Sequence, residues 1–135
     1  MHHALGNTIS KLACDIIDTP ATMSAKSHLR NDRPLVIAPS TNNGLSGNAE
    51  NIGKLLNRRN YYFVPFRQDN PITKPRSIVF DPDYIVKTIK YALEGEQISP
   101  ILLWWIILIG IKIKKIYNWI NHCKGYFSNY TEIAC

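Results

Sequence analysis

The stretch that decides the fold is Gly6–Arg30, GNTISKLACDIIDTPATMSAKSHLR, together with the apolar run Pro34–Ser40, PLVIAPS. The second run is too short for a helix and does not alternate, which predicts a strand covered on both faces. In Asp18-Thr19-Pro20, Thr19 is predicted to cap a second helix, because proline suits the first helical turn. The first helix, with Asn7 or Thr8 as its cap, is predicted from apolar residues three and four positions apart: Ile9, Leu12, Ala13, Ile16 and Ile17.

The same helix-and-strand pattern then repeats along the chain. A loop rich in small and amide residues, Ser40–Asn48, precedes a third helix with its apolar stripe at Ala49, Ile52, Leu55 and Leu56. Tyr61–Phe66 predicts a second strand with Pro65 at its end, since proline cannot donate to a ladder.

After the second strand, the three prolines of Arg67–Asp83 predict a long connection. Asp81 or Asp83 is predicted to cap a last helix that Gly95 closes. The stripe of that helix is expected at Tyr84, Ile85, Ile89, Ala92 and Leu93. This order implies an α/β fold with parallel strands and flanking helices, an incomplete Rossmann-like three-layer domain over residues 1–100.

From Pro100 onward the composition changes to an apolar and basic tail, residues 101–135. Its apolar run, Ile101–Ile111, predicts a helix of about 17 Å, which is shorter than the roughly 30 Å hydrocarbon core of a bilayer. A membrane span is therefore not favoured, although weak membrane association of an exposed apolar helix is expected. We interpret the tail as aberrant sequence added by a frameshift or a lost stop codon.

Composition excludes several classes of function. The formal net charge of +6 could suit nucleic acid, but no basic run exceeds two residues, so nucleic-acid binding is not expected. The three cysteines, Cys14, Cys123 and Cys135, are widely spaced and indicate cytoplasmic thiols rather than a disulfide framework. His122-Cys123 lacks further ligands at zinc-like spacing, so no metal site is predicted.

Two loops carry candidate site residues. Gly6, Asn7 and Thr8 begin a helix, where free N–H groups and the positive end of the helix favour a phosphate or a carboxylate. An ordinary helix cap is the alternative interpretation of these three residues.

The second loop follows the predicted strand at its carboxyl end, where α/β folds place ligands. Its candidates for substrate binding are Ser40, Thr41, Asn42, Asn43 and Gly44. A carboxamide donates to a carboxylate oxygen and accepts from a ring N–H, and a hydroxyl adds a further donor. The alternative interpretation of Asn-Asn-Gly is a simple turn.

Over residues 6 to about 101 the sequence resembles the C-terminal half of the B subunits of dipicolinate synthase. These belong to the Rossmann-like flavoproteins, together with flavin-dependent cysteine decarboxylases and flavin prenyltransferases. The resemblance rests on three stretches: GNTISKLACDIIDTPATMSAKSHLR, RPLVIAPSTNNGLSGNAENIGKLLNRRNYYFVPFRQDNP and ALEGEQISPIL.

The resemblance implies a role in converting a hydroxylated tetrahydrodipicolinate to dipicolinate in the cytoplasm of a sporulating bacterial cell. It implies an A-subunit partner that carries NAD(P) and oxidises the substrate, and a homo-oligomer is a further possibility. It also implies FMN bordered by Gly6, Asn7 and Thr8. Pro39-Ser40-Thr41-Asn42 occupies the place of a Pro-x-Met-Asn substrate clamp in the related decarboxylases.

The sequence also departs from the family pattern. The first strand of the family, its phosphate-binding loop and the histidine-bearing region of the decarboxylases have no counterpart, so we expect this chain to be inactive alone, and the catalytic residues are unknown. A phosphopantothenoylcysteine-decarboxylase-like flavoenzyme is an alternative, disfavoured because Thr41 replaces methionine. A membrane-tethered binding fragment without catalytic activity is the third hypothesis.

Overall fold

The structure is a computed structural model that describes the backbone of residues 3–4 and residues 6–103. The tail beyond residue 103, with its predicted helix and membrane association, lies outside the described residues. Within the described ranges, no helix is long and apolar enough to cross a membrane. The elements are β1 (His3–Ala4), α1 (Gly6–Ala13), α2 (Pro20–Arg30), β2 (Leu35–Thr41), α3 (Ala49–Leu56), β3 (Tyr61–Phe63), β4 (Phe66–Asn70), β5 (Lys74–Phe80), a 3-10 helix (Pro82–Tyr84) and α4 (Ile85–Leu93).

The sheet is mixed, with β2 at its centre. β1 and β3 pair with β2 in parallel, whereas β5 pairs antiparallel with the end of β2 at Ser40 and Thr41. β4 then pairs antiparallel with β5. The prediction of an α/β fold with flanking helices is confirmed, but the prediction of a wholly parallel sheet is wrong.

The error lies in Arg67–Asp83, which forms the β4–β5 hairpin instead of an irregular connection. The Asn70 side-chain oxygen closes the turn by accepting from the N–H groups of Ile72 and Thr73, each at 3.0 Å. Pro75 falls where the register shifts, so its missing N–H costs no regular ladder bond. Most side chains of this hairpin are polar and at least partly exposed, which hides the alternation expected of a strand.

Apolar residues on both faces of the sheet are buried. Phe63 of β3 belongs to the main core, whereas its neighbours Tyr62 and Val64, which point to the other face, are buried as well. Helix α4 packs on β2 and β3, and α1, α2 and α3 pack on the main core. The main core consists of Ile9, Leu12, Ala13, Ala25, Ile37, Ile52, Leu55, Phe63, Phe66 and Ile78.

Helix α1 is shorter than its apolar stripe predicts. It ends at Ala13, and Ile16 and Ile17 are 47% and 37% exposed, so their prediction as core residues is wrong. The chain reverses at Asp15, whose φ of 57° lies in the left-handed region that aspartate tolerates. The Arg58 guanidinium then donates to the carbonyl oxygens of Leu12 and Ala13 at 3.2 and 3.0 Å.

Helix α4 follows a turn capped by Asp81, whose carboxylate accepts from the Asp83 N–H at 3.1 Å, as predicted. Only Thr88 and Ala92 of α4 are buried. The predicted core residues Ile89 and Leu93 are 42% and 73% exposed, because they lie on the neighbouring row of the helix.

The first residues of the predicted tail belong to the sheet. The Phe66 N–H donates to the Ile101 oxygen at 2.9 Å, and the Leu103 N–H donates to the Phe66 oxygen at 2.8 Å. Leu102 thereby forms a parallel bridge with Phe66. The prediction that a helical tail begins at Ile101 is therefore wrong for these three residues.

Candidate functional site

An open cavity of about 610 Å³ lies at the carboxyl end of β2. The start of α1, the loop after β2 and the β4–β5 hairpin each contribute part of its wall. Two sets of residues predicted separately from the sequence meet here, Gly6 and Asn7 with Ser40–Asn43. The complete lining is Gly6, Asn7, Ser10, Ser40, Thr41, Asn42, Asn43, Asn48, Asp69, Ser77, Ile78 and Val79.

Two predicted site residues do not line this cavity. Thr8 lines a separate cavity of about 380 Å³ between α1, α2 and β2. Gly44 is buried, and a Cβ atom at its position would overlap the Ile78 side chain. Gly44 therefore lets the loop pack on β5, and the ligand-binding roles predicted for Thr8 and Gly44 stay predictions.

The start of α1 gives one wall of the cavity a positive electrostatic character. Backbone N–H groups in the first turn of a helix have no partner within the helix, and the helix dipole places partial positive charge there. No acidic side chain lies in the first turn of α1 to neutralise that charge. This wall suits the carboxylate or phosphate of a ligand.

A network of polar side chains joins the two predicted loops. The Asn43 side-chain oxygen accepts from Thr41 Oγ1 at 2.6 Å and from Asn48 Nδ2 at 2.7 Å. The Asn48 side-chain oxygen accepts in turn from Ser10 Oγ at 2.7 Å and from Asn51 Nδ2 at 3.1 Å. Asn48 itself is only 2% exposed, so the network lies partly beneath the cavity floor.

Sequence reasoning missed Ser10, Asn48 and Asn51. Their contacts join residues up to 41 positions apart, which local patterns cannot show. One signal was available, since Asn48 ends the amide-rich loop directly before the predicted third helix. A polar residue one helical turn after Gly6 is a second, weaker signal for Ser10.

Most of the remaining lining is polar and uncharged, apart from the carboxylate of Asp69 and the apolar Ile78 and Val79. Asn42 is exposed, and its side-chain oxygen accepts from Ser77 Oγ at 3.4 Å. Asp69 supplies a carboxylate, which is paired with Lys74 Nζ at 3.3 Å. Within the described part of the chain, no three His, Cys, Asp or Glu side chains are grouped so as to hold a metal. This lining can bind and orient an anionic ligand through amide, hydroxyl and helix N–H donors.

Both the sequence and the fold of this chain are similar to those of known proteins. No protein-family model matches the sequence. The chain is 44% identical over 98 residues to the dipicolinate synthase B subunit of Bacillus subtilis (strain 168), an alignment that covers 73% of this chain and 49% of that protein. The crystal structure of the dipicolinate synthase B subunit from Bacillus halodurans C matches with a TM-score of 0.74 and 43% identity, covering 76% of this chain and 52% of that one. The chain spans about half the length of these relatives, and in both sequence and fold it resembles the B subunit of dipicolinate synthase.

Proposed function

We propose that this chain serves as a B-subunit component of dipicolinate synthase. In this role it binds a small dicarboxylate and acts with an A subunit to convert a hydroxylated tetrahydrodipicolinate to dipicolinate in the cytoplasm of a sporulating cell. The observation that carries the proposal is the 44% identity over 98 residues to a dipicolinate synthase B subunit. Because that relative is one subunit of a synthase, it also supports the existence of a partner subunit.

The geometry of the cavity supports the ligand class. The side chains of Asn42 and Asn43 offer donors for carboxylate oxygens, and the Asn42 side-chain oxygen can accept from a ring N–H. We assign binding and orientation to this chain, and oxidation with NAD(P) to the A subunit.

FMN is part of the same proposal. Gly6 and Asn7 line the cavity at a helix start without acidic residues, so they would hold an anionic group such as the flavin phosphate. Thr8, which lines a different cavity, does not add to this fit. A bound flavin would supply redox chemistry, and Gly6 and Asn7 of this chain would hold its phosphate.

The test is the substitution equivalent to Asn42→Ala in a full-length relative assayed together with its A subunit. Dipicolinate formation should fall while the thermal transition stays unchanged, because Asn42 is exposed and makes one long hydrogen bond. Asn57→Ala, at the exposed end of α3, is the matched control. Wild-type turnover with an unchanged KM would remove Asn42 from the site.

A further inference from the structure

The polar network gives the side chain of Asn43 a fixed polarity. Its oxygen accepts two hydrogen bonds, from Thr41 and from Asn48. A carboxamide oxygen has two lone pairs, so both are used. Among residues 6–103, no hydrogen-bond partner of Asn43 Nδ2 is found, and Asn43 is exposed at the cavity. Asn43 therefore presents donors to the cavity.

Asn48 imposes this polarity from below. Its side-chain oxygen accepts from Asn51 Nδ2 at 3.1 Å and lies 2.7 Å from Ser10 Oγ, whose single proton can also go to the Gly6 carbonyl oxygen at 2.9 Å. The Asn48 Nδ2 therefore faces the Asn43 oxygen. Its backbone N–H also donates to the Asn43 carbonyl oxygen at 3.1 Å, so one residue holds both the main chain and the side chain of Asn43. Within the described residues, no buried side-chain polar atom lacks a hydrogen bond. The part-buried hydrogen bonds of Asn48 to Ser10, Asn51 and Asn43 therefore favour one arrangement of the network.

We propose that Asn48 is a positioning residue that orients the Asn43 amide so that its Nδ2 donates to a carboxylate oxygen of the bound ligand. This inference rests on the proposed function and adds to it the residue that sets the specificity for an acceptor. If the Asn43 amide turned over, its Nδ2 would face the Asn48 Nδ2 donor and its oxygen would face the ligand carboxylate. Both contacts would be repulsive. The network therefore holds the Asn43 amide with its donors toward the cavity before a negatively charged ligand group binds.

Two isosteric variants separate positioning from structural support. Asn43→Asp keeps an acceptor for both Thr41 and Asn48 but removes the donors that face the cavity. Asn48→Asp keeps an acceptor for Ser10 and Asn51 but reverses the bond to Asn43, which should turn the Asn43 amide over. Asn57→Asp is the control for the same change at an exposed helix end.

The experiment is an NMR titration of the full chain and its variants with pyridine-2,6-dicarboxylate, followed through the side-chain amide signals. It is run in 1 M salt, where the Debye length is about 3 Å, to reduce the long-range repulsion between the ligand and the new carboxylates. The expected result is movement of the Asn43 amide signal in the wild type and a loss of affinity of about tenfold or more in Asn43→Asp and Asn48→Asp, because each loses a charge-assisted hydrogen bond. The thermal transition of Asn43→Asp and the affinity of Asn57→Asp should stay at wild-type values.

The outcomes distinguish this inference from the proposed function. If the wild type binds the dicarboxylate and Asn43→Asp binds it equally well, the positioning role is overturned while the proposed function stands. If Asn48→Asp folds and binds as tightly as the wild type, the positioning role of Asn48 is overturned. If it unfolds, the result for Asn43→Asp decides whether Asn43 Nδ2 donates to the ligand, because that variant keeps every hydrogen bond of the network. If the wild type shows no binding of pyridine-2,6-dicarboxylate, both are overturned.

Discussion

Gly6 is the residue at which the start of α1 meets the polar network most closely. A Cβ atom at Gly6 would lie 2.5 Å from Asn48 Nδ2, 2.6 Å from Thr41 Oγ1 and 2.9 Å from Asn43 Oδ1. All three neighbours are held by hydrogen bonds to one another, so none can move without breaking a bond. These three atoms lie so close that only glycine, which has no Cβ atom, fits at position 6.

Gly6→Ala is therefore expected to lower the free energy of unfolding by about 1–2 kcal/mol, since overpacking outweighs the gain in helix propensity. Gly53→Ala in α3 is the matched control, because nothing lies within 4 Å of the Cβ it would add. That control should raise stability by roughly 0.5–1 kcal/mol. Urea unfolding measures both, and a Gly6→Ala chain as stable as the wild type would show that the network is looser than the structure indicates.

At the scale of residues, the sequence indicated half of the candidate site. Asn42 and Asn43 could be predicted because they follow a recognisable buried strand, and Gly6 and Asn7 because they begin a recognisable helix. Ser10, Asn48 and Asn51 could not be predicted, since their roles depend on how α1 and α3 meet in space.

At the scale of elements, local chemistry predicted the helices better than the sheet. The prediction that Thr19 caps α2 is confirmed, and its hydroxyl accepts from the Thr22 N–H at 3.3 Å within a capping box. The β4–β5 hairpin was missed because its exposed face is polar and its prolines suggest a loop. The apolar face of the hairpin can be recognised only from the structure, in which Ile78 packs into the core.

Arg58 replaces the missing last turn of α1. Its guanidinium binds two α1 carbonyl oxygens and both Asp15 oxygens, the latter at 2.9 and 3.1 Å. Hydrogen bonding to Asp15 also raises the pKa of Arg58 above its ordinary value.

Arg58→Met is accordingly expected to lower the free energy of unfolding by about 1–2 kcal/mol, after allowance for partial exposure of the ion pair. Arg59→Met is the control, because Arg59 is 83% exposed and its one ion pair among residues 6–103 is with the exposed Asp32. The control should change stability by less than about 0.5 kcal/mol. Equal effects of the two substitutions in chemical denaturation would argue against the capping role.

The hydrogen bonds of Ile101 and Leu103 with Phe66 determine how far the chain can be truncated from its C-terminal end without loss of stability. A chain ending at Pro100 leaves both backbone groups of the buried Phe66 without partners, so its thermal transition should fall by at least about 4 °C relative to a chain ending at Leu103. The chain ending at Leu103 should be more soluble than the full chain and at least as stable, as the sequence of the tail predicts. A lower transition for that chain than for the full chain would show that residues beyond 103 stabilise the fold.

At the scale of the whole molecule, the chain matches only about half the length of its relatives, 49% and 52%. The described residues supply one wall of an anion site but no glycine-rich phosphate loop. Each missing charge-assisted hydrogen bond is worth about 1.5–3 kcal/mol. The isolated chain should therefore bind FMN weakly or not at all, and calorimetry that gives a submicromolar Kd would contradict this expectation.

We propose that this chain carries the substrate-binding part of a dipicolinate synthase B subunit. The most direct measurement replaces the corresponding half of a full-length B subunit with residues 6–103 of this chain and assays dipicolinate formation with the A subunit. The control is a matched chimera that carries Asn43→Asp. We expect more product from the chimera than from the A subunit alone, and we expect the control to lose that gain. A folded chimera that yields no more product than the A subunit alone would contradict it.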